Sequence, residues 1–343
     1  MANQCEQLVR LLASEGLAVE LVQTNAPYRP ARVGRIPIVR AFFRLVPYAH
    51  KLWQAAGRTQ VMHVLANSGW AWHLIAGPAI FAARQRRVPV IVNYRGGAAE
   101  TFFASAPAWV LKTLRTVHVR VTPSAYLQRV FAKFNLDAEV IPNIVDLSRF
   151  SVRPEREFGA TPKVLVARNL EAIYDIPTAL RAFVGIRKRF ADATLTVAGS
   201  GPELASLRAL AERLGIADAV EFVGRIDNAA MPALYARADC VLNPSTVDNM
   251  PISILESFAS GVPVVSTDAG GIPDLVANGV SGLLVAVGDD ARMAEAACRV
   301  LEDRGLRQRL IAGGIAEARK YSWSQIRPLW LDAYARAAKA GAR

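Results

Sequence analysis

Two carboxylates and a predicted helix start lie close together in the second half of the chain. Asp248 and Glu256 are eight positions apart and follow a strand expected to end at residues 243–245. Pro251 suits the first turn of a helix, which puts Asp248 in the loop before that helix and Glu256 near its middle. The amides of residues 250–253 would be free donors at the helix N-terminus, an arrangement that binds anions. The segment therefore predicts a cleft lined by two acids and an anion-binding helix start.

A pair of glycines, Gly270-Gly271, follows a strand predicted at residues 262–266. Because glycine has no side chain, the backbone at such a position can approach a ligand closely. We therefore expect this turn to border the same ligand site, just before another helix begins.

The elements that position these residues follow from the hydrophobic pattern. Short β-branched runs alternate with longer helical patterns, which is typical of parallel α/β sheets. The predicted strands are 18–22, 61–65, 88–93, 117–122, 138–141, 163–167, 194–198, 220–223, 240–243, 262–266 and 282–285, with helices such as 177–190 and 203–214 between them. The predicted fold is α/β, with two Rossmann-like parallel-sheet domains facing across a cleft, where ligands bind at the carboxyl edges of the strands.

A change of composition near residues 146–161 predicts a linker between two domains. Helix-breaking residues and charges cluster there: Pro142, Pro154, Gly159, Pro162 and the charged stretch 153–157. We predict an N-terminal domain at residues 1–150, a C-terminal domain at 151–320 and a final helix at 321–343. The amphipathic final helix packs either back onto the N-terminal domain or as an ordinary terminal core helix.

The composition is that of a globular protein with a basic surface. Of 343 residues, 52% are apolar and 20% are charged, which is enough to bury a core in each half. Lys and Arg number 41 against 29 Asp and Glu, a formal charge of +12. Such a surplus favours anionic partners, namely nucleic acid, acidic lipid surfaces or phosphorylated substrates.

Compartment and membrane topology are also indicated. Cys5, Cys240 and Cys298 have no spacing that suggests a metal knot or a redox motif. The N-terminal segment carries charges among its apolar residues, so it is not a signal peptide. The most apolar stretch, 69–83, contains His73 and falls short of the ~20 residues that a bilayer span needs. We expect a cytoplasmic protein without a transmembrane segment.

The stretch PSTVDNMPISILESFASGVPVV, residues 244–265, resembles the Glu-x7-Glu signature region of the retaining glycosyltransferases of family GT4, which have the GT-B fold. The resemblance covers nearly all of residues 160–340 and, more weakly, 1–150. It implies a hexosyltransferase-like enzyme that moves a sugar from a nucleotide diphosphate sugar to a lipid-linked or polysaccharide acceptor, in cell-envelope or exopolysaccharide synthesis. The N-terminal domain would bind the acceptor and the C-terminal domain the nucleotide sugar.

The resemblance assigns catalytic roles to three residues. Glu256 would bind the ribose hydroxyls of the donor, and Asp248, one methylene shorter than the family's usual Glu, would contact the transferred sugar. Arg168 matches the arginine that grips the donor diphosphate, a task that suits a guanidinium because it makes bidentate bonds to phosphate. The residues implied in nucleotide binding are Gly199, Gly201, Arg225, Ile226, Asn249, Met250, Pro251, Ile252 and Glu256.

Two positions depart from the family pattern. Tyr174 stands where the family usually has a lysine on the donor phosphates, and Tyr94 where it often has a histidine. Arg95 would supply some of the missing positive charge or bind an acidic acceptor. We expect Tyr94, Arg95 and His73 to lie on the acceptor side.

The resemblance also implies a mechanism without a cofactor other than the donor substrate. The sequence has no Asp-x-Asp metal motif, so the leaving diphosphate would be neutralised by Arg168, by Arg95 and by helix N-terminal amides. We expect front-face displacement with retention of configuration and no metal. Domain closure would exclude water from the reaction.

Other functions agree with parts of the sequence. A nucleotide-sugar epimerase shares the GT-B fold, although the stretch DNMPISILES fits a transferase better. A basic nucleic-acid-binding protein agrees with the charge, but no RNA or DNA module is recognisable, so we predict no nucleic-acid partner. A non-catalytic paralogue that only binds is the third alternative.

Arginines and aromatic residues are interleaved in residues 28–53. They are Arg29, Arg32, Arg35, Arg40, Arg44 and Lys51, with Tyr28, Phe42, Phe43, Tyr48 and Trp53 between them. Such a mixture binds single-stranded nucleic acid or rests on an anionic membrane. We expect this region to contact the inner face of the membrane or a lipid-linked acceptor, the alternative being an ordinary helix with a solvated basic face.

The sequence opens with a helix, whereas a Rossmann-like domain normally opens with a strand and a Gly-rich loop. Residues 3–12 already have helical periodicity, and Met1-Ala2-Asn3-Gln4 resembles the end of such a loop in related transferases. We therefore expect an upstream start that adds roughly 15–25 residues, with an apolar run and paired glycines. The chain without them would be poorly stable or weakly active.

Overall fold

The chain forms two compact units, each built around one parallel sheet. The structure, a computed structural model, describes residues 2–24, 37–152 and 161–341. Unit 1 comprises Met1–Pro142 and Arg327–Arg343, and unit 2 comprises Asn143–Ile326. The sheet of unit 1 has four strands and that of unit 2 has six. The prediction of two parallel-sheet α/β domains is confirmed.

Among its described residues, unit 1 contains four strands, seven helical segments before residue 134 and most of the last helix of the chain. The strands are β1 (Met62–Ala66), β2 (Val90–Tyr94), β3 (Val119–Thr122) and β4 (Glu139–Val140). The helices are α1 (Ala2–Ser14), α2 (Pro37–Ala56), α3 (Gly77–Gln85), α4 (Ala99–Ser105), α5 (Ala108–Arg115) and α6 (Ala125–Lys133), with a π-helical turn at Trp72–Ala76 before α3. The strand order is β1-β2-β3-β4, and Val92 of β2 is paired with Val64 and Arg120 on its two sides.

Strand β2 lies in the core of unit 1. All five of its residues are buried, as expected for a parallel strand covered on both faces, which reads as a continuous apolar run. Trp72, Phe131 and Tyr94 are among the largest fully buried side chains of the protein. The residues at the carboxyl end of this strand are therefore held in place by a well-packed core.

The strand predicted at residues 18–22 is wrong. This segment pairs with no strand among the described residues, and Val19 and Leu21 are 38% exposed. Its alternating apolar pattern suits a half-buried strand, but a strand also needs a neighbour with which to share its backbone hydrogen bonds. That neighbour is not specified by the local pattern.

Unit 2 contains the larger sheet. Its strands are β5 (Lys163–Ala167), β6 (Thr194–Ala198), β7 (Val220–Gly224), β8 (Cys240–Asn243), β9 (Val264–Thr267) and β10 (Leu283–Val285). Its helices are α7 (Ile176–Arg189), α8 (Leu204–Arg213), α9 (Met231–Tyr235), α10 (Ile252–Ala259), α11 (Ile272–Leu275), α12 (Asp290–Glu302) and α13 (Arg304–Arg319).

The strand order of unit 2 is β10-β9-β8-β5-β6-β7. Strand β5 is central, with β6 beside it on one side and β8 on the other, and the order of connection reverses between β5 and β8. In open α/β sheets, ligands bind at the carboxyl ends of the strands where this reversal occurs. A ligand site is therefore expected at the loops that follow β5 and β8.

The last helix, α14 (Trp323–Gly341), begins in unit 2 and continues into unit 1. In unit 1 it buries Trp330, Ala333 and Ala337. Its Arg327 pairs with Glu15 of α1 at 2.7 Å. The described helices include none that is long and apolar enough to cross a membrane.

The region 28–53, predicted to contact a membrane, lies partly outside the described residues, since 28–36 and the side chains of 37–44 are not described. In its described part, Tyr48 is buried and donates a hydrogen bond to the carbonyl oxygen of Ile75 at 3.2 Å. Trp53 is 43% exposed, and the Arg86 guanidinium carbon lies 4.1 Å from the centroid of its ring. The expected membrane contact of this region stays a prediction.

Candidate functional site

Arg168 and Asp248 form an ion pair where the sheet order of unit 2 reverses. Arg168 follows β5 directly, Asp248 lies in the loop after β8, and Arg168 Nη2 donates to Asp248 Oδ2. The two side chains are only 10% and 14% exposed. The pair is therefore largely shielded from water, and removing either partner would leave an uncompensated charge.

Two further contacts orient the Arg168 guanidinium. Its central carbon lies 4.1 Å from the centroid of the Tyr174 ring, a cation–π geometry, and its Nη1 lies 3.4 Å from Ser253 Oγ. Its Nε is buried and has no hydrogen-bond partner among the described residues. Asp248, Tyr174 and Ser253 thus orient the cation, and its Nε donor is unused by the described residues.

Glu256 lies on α10 beside Tyr235 of α9. The Tyr235 hydroxyl lies 3.1 Å from Glu256 Oε2 and 3.1 Å from the carbonyl oxygen of Ser253. Burial raises the pKa of Glu256 to about 7, although the Tyr235 hydrogen bond and the charge of Arg149 act in the opposite direction. This carboxyl group therefore changes its charge near neutral pH.

Arg149 was not among the predicted site residues. It ends a short helical turn, donates a hydrogen bond to the carbonyl oxygen of Asn228, and lies near enough to Glu256 to lower that group's pKa. Tyr235 was missed as well. Both come from segments outside the signature stretch and carry no motif, so only the packing of the unit connects them with Glu256.

The predicted glycines support the loops of the site. An added Cβ at Gly199 would lie 1.9 Å from the carbonyl oxygen of Arg168, and one at Gly201 would lie 2.2 Å from that of Leu170. At Gly270 and Gly271 it would lie 2.3 and 2.1 Å from the carbonyl oxygens of the loop residues 248 and 249. The expected close backbone approach is present, but its partner in the structure is the neighbouring loop that carries Arg168 or Asp248.

The other predicted nucleotide-binding residues of unit 2 lie at the same sheet edge. Helix α10 begins at Ile252, with Pro251 as the residue before it. Asn249 and Met250 are buried, and the side-chain Nδ2 of Asn143 donates to the carbonyl oxygen of Met250 at 2.8 Å. The loop after Asp248 is thereby fixed from the start of unit 2.

Arg225 and Ile226 follow β7 directly. The backbone of Gly199 donates to the carbonyl oxygen of Gly224 at 2.8 Å, which connects this turn with the glycine-rich turn after β6. Ile226 packs in the apolar cluster that contains Tyr235, whereas Arg225 is exposed. These two residues therefore lie on the Tyr235 side of the site.

In unit 1, the three predicted acceptor-side residues have different surroundings. The Tyr94 ring is fully buried against Phe103 and Phe131, with ring centroids 5.2 and 5.3 Å away, and its hydroxyl lies 2.8 Å from Ser68 Oγ. Burial lowers the pKa of Arg95 to about 10, with Cys5 of α1 nearby. Tyr94 is thus part of the core. Arg95 is partly exposed and is the better candidate for a functional group.

His73 lies in the π-helical turn, away from strand β2. Its ring centroid is 5.2 Å from that of Trp109 and 6.2 Å from that of Trp70. The structure therefore places it in a group of surface aromatic rings. No hydrogen bond among the described residues connects His73 with Tyr94.

His63 has a structural environment. Its Nδ1 lies 2.6 Å from the Tyr334 hydroxyl, and its ring centroid lies 4.9 Å from that of Trp330 on α14. Burial lowers the pKa of His63 to about 3, so the imidazole is neutral over the ordinary pH range. The described residues also include no group of three or more His, Cys, Asp or Glu arranged to hold a metal ion.

Comparisons with known proteins agree with this architecture. Residues 1–149 match the family Glycosyltransferase Family 4, and residues 149–317 match the family Glycosyl transferases group 1. The solved structure of sucrose-phosphate synthase from Thermosynechococcus elongatus superposes with a TM-score of 0.77 at 19% identity, over 97% of this chain and 92% of that one. This likeness concerns the fold.

Two characterised relatives align with part of the chain. It is 31% identical over 185 residues to N-acetyl-alpha-D-glucosaminyl L-malate synthase of Bacillus anthracis, covering 52% of this chain and 48% of that protein. It is 33% identical over 193 residues to the GDP-mannose-dependent alpha-(1-6)-phosphatidylinositol monomannoside mannosyltransferase of Mycobacterium tuberculosis, covering 52% and 49%. The chain spans about half the length of these relatives. It has the GT-B fold, and its two halves match two glycosyltransferase families.

Proposed function

We propose that this protein is a retaining, metal-independent glycosyltransferase that moves a sugar from a nucleotide diphosphate sugar to a lipid-linked or glycan acceptor. The observation that carries the proposal is the geometry of Arg168. It is a buried cation at the point where the sheet order reverses, held by Asp248 and Tyr174, with its Nε unused by the described residues. A guanidinium in that position suits a diphosphate.

Groups next to Arg168 bind the ribose and the sugar of the donor. Glu256, once ionised, accepts hydrogen bonds from the ribose hydroxyls, and the hydroxyl of Tyr235 orients its carboxylate. Asp248 contacts the transferred sugar from the loop next to Arg168. One relative's name specifies a GDP-mannose donor, which supports a nucleotide sugar as the substrate class.

The chemical step needs stabilisation of the leaving diphosphate. The bond between the sugar and the diphosphate breaks while an acceptor hydroxyl attacks from the same face, and a departing phosphate oxygen takes the acceptor's proton. Arg168 neutralises the charge that develops on the phosphate, so no metal is required. The incoming and leaving oxygens share one face, so the anomeric configuration is retained.

The acceptor is assigned to unit 1. Arg95 directly follows β2, and its backbone N–H donates to the carbonyl oxygen of Ala66 at 2.9 Å, two residues before Ser68. A cation there suits an acceptor with an acidic group. The names of the two relatives include a malate and a phosphatidylinositol mannoside, both of which are anionic, and this supports the assignment.

Calorimetric titration with uridine, guanosine and adenosine diphosphate sugars tests the donor site. Arg168→Ala and Glu256→Gln are each expected to weaken binding of the best donor by at least about 30-fold, since each removes a charged partner. The matched controls are Arg189→Ala and Glu302→Gln, an ion pair at 2.5 Å whose arginine ends α7 and so lies at the opposite edge of the same sheet. Donor binding by both site variants at the parent's affinity would contradict the assignment.

A further inference from the structure

An exposed apolar row runs along one helix of unit 1. The helical stretch from Trp70 through α3 presents Trp70, Leu74 and Phe81 to solvent, with 79%, 40% and 62% of each residue exposed. Trp109 of the neighbouring α5 is 44% exposed. Together these four residues form the Trp70 face.

The four side chains belong to one surface. Trp70 and Leu74 are four positions apart, and Phe81 follows seven positions later, which is the spacing of one helix side. The His73 ring connects this row with α5, because its centroid lies 6.2 Å from that of Trp70 and 5.2 Å from that of Trp109. Arg84 of α3 also lies 3.5 Å from Thr116 at the end of α5.

The opposite side of this helix is fully occupied by the core. Trp72 and Ala83 are 0% exposed and Ile80 is 1% exposed. A surface helix normally turns polar residues to water, whereas this one is apolar on both sides. A contiguous exposed apolar patch of this kind marks an interaction site.

The charge around the Trp70 face is strongly one-sided. The segment 69–120, to which the face belongs, has Glu100 as its only acid, whereas its exposed cations are Arg84, Arg86, Arg87, Lys112 and Arg115. Glu100 is itself paired with Lys133 of α6 at 2.7 Å. Arg84 and Lys112 are exposed and lie three positions after Phe81 and Trp109, at the rim of the face. The surroundings therefore suit an anionic partner.

We propose that the Trp70 face docks unit 1 on an anionic lipid bilayer. Tryptophan favours the boundary between headgroups and acyl chains, and exposed Lys and Arg bind acidic headgroups. Unlike the region 28–53, this face consists entirely of residues that the structure describes. This inference rests on the proposed transferase function. Docking on a bilayer favours a membrane-borne acceptor over a soluble glycan.

The position of the face agrees with that choice. Trp70 comes two residues after Ser68, whose hydroxyl bonds the Tyr94 hydroxyl at the carboxyl end of β2. The row therefore starts beside the loop that the acceptor is assigned to. A lipid headgroup at the bilayer surface would reach that loop while its chains remain in the membrane.

Flotation with vesicles tests the docking. The parent protein should bind vesicles containing phosphatidylglycerol at least about tenfold more tightly than vesicles of phosphatidylcholine alone, and rising salt should weaken this binding. The double variant Trp70→Ser with Phe81→Ser should lose at least about tenfold in affinity for the anionic vesicles. Val280→Ser, at a 60% exposed apolar residue of unit 2, is the matched control and should bind as the parent does.

Several outcomes overturn the proposal. They are equal binding to both vesicle types, unchanged binding by the double variant, and the appearance of a dimer in sedimentation velocity that this variant dissociates. Tighter binding to a single-stranded oligonucleotide than to anionic vesicles, lost in the double variant, also overturns it. Donor binding is measured on the same proteins. If vesicle binding fails while donor binding persists, only the docking face is wrong; if donor binding itself fails, the proposed function is wrong.

Discussion

The guanidinium of Arg168 lies between the carboxylate of Asp248 and the ring of Tyr174, whose centroid is 4.1 Å from the guanidinium carbon. Tyr174 stands where related transferases usually have a lysine. A tyrosine brings no charge to a diphosphate, but its ring face attracts and orients a cation. In this protein the position therefore contributes by holding Arg168.

Replacing the Tyr174 ring should weaken donor binding through Arg168. Tyr174→Phe keeps the ring face and is expected to bind the nucleotide sugar within about twofold of the parent, while Tyr174→Leu should lose about three- to tenfold, as for a partly buried cation–π contact. Calorimetric titration measures both. In an Arg168→Ala background the same Leu substitution should have no further effect, and an undiminished loss there would show that Tyr174 acts independently.

Breaking the Arg168–Asp248 pair should destabilise unit 2. Asp248→Asn leaves a guanidinium that is 10% exposed without its counter-charge, a change that costs about 3–5 kcal/mol in buried pairs. Adding Arg168→Met should recover part of this loss, because the uncompensated charge is then removed. Urea unfolding of both single variants and the double variant measures the coupling, and strictly additive effects would contradict a direct interaction.

Donor affinity should depend on pH through Glu256, whose pKa burial raises to about 7. Ionised Glu256 is the form that accepts ribose hydroxyls, so affinity should rise by about tenfold from about pH 6 to about pH 8 as the ionised fraction increases. A nucleotide sugar is the ligand of choice, since its esterified diphosphate does not titrate in this range. Glu256→Gln should bind weakly and without this dependence. An equal rise in the Gln variant would assign the effect to another group.

The same raised pKa also affects folding. The unfolded chain ionises this carboxyl near 4.5, whereas the folded protein keeps it protonated up to about 7, so the folded state binds more protons between these values. The contribution of Glu256 to stability therefore falls as pH rises from about 4.5 to about 7 and is constant above. In Glu256→Gln this part of the pH dependence of unfolding should disappear.

Removing the Tyr334 hydroxyl should loosen α14 from unit 1. Tyr334→Phe deletes the partner of His63 Nδ1, at 2.6 Å, and leaves a buried imidazole nitrogen unsatisfied at a cost of about 1–3 kcal/mol. Hydrogen exchange of α14 and the denaturation midpoint measure the effect. The control is Arg336→Ala on the same helix, which removes partly exposed ion pairs with Glu139 of β4 and with Asp332 and should cost less than about 1 kcal/mol. Equal losses in both variants would contradict a special role for the His63 contact.

Transfer should persist without divalent metal. Arg168 supplies the charge for the leaving diphosphate, so turnover in excess EDTA should match that in buffer. Product formation followed by proton NMR reports both the rate and the anomeric configuration, which is expected to be retained. Complete loss in EDTA that Mg²⁺ or Mn²⁺ restores would require a metal-dependent mechanism instead.

Much of unit 2 was determined by the sequence itself. The bounds predicted for β5, β6 and β8 are those of the structure, because buried parallel strands are continuous apolar runs whose ends are set by polar residues and glycines. The eight-residue spacing of Asp248 and Glu256 likewise placed one acid in the loop and the other on α10. These features depend on neighbours along the chain, so local sequence is enough to predict them.

Other features were decided only by tertiary structure. Tyr235 contacts Glu256 and the charge of Arg149 lowers its pKa from a separate segment, and no local pattern encodes either relationship. The strand predicted at residues 18–22 failed because a strand needs a partner, and pairing is a property of the whole sheet. Tyr94 was expected just after a strand at residues 88–93 and is the last residue of β2, but the packing of Phe103 and Phe131 decided that its ring would point into the core. Side-chain direction and charge near neutral pH depend on which distant groups exclude water, and that is settled when the elements pack together.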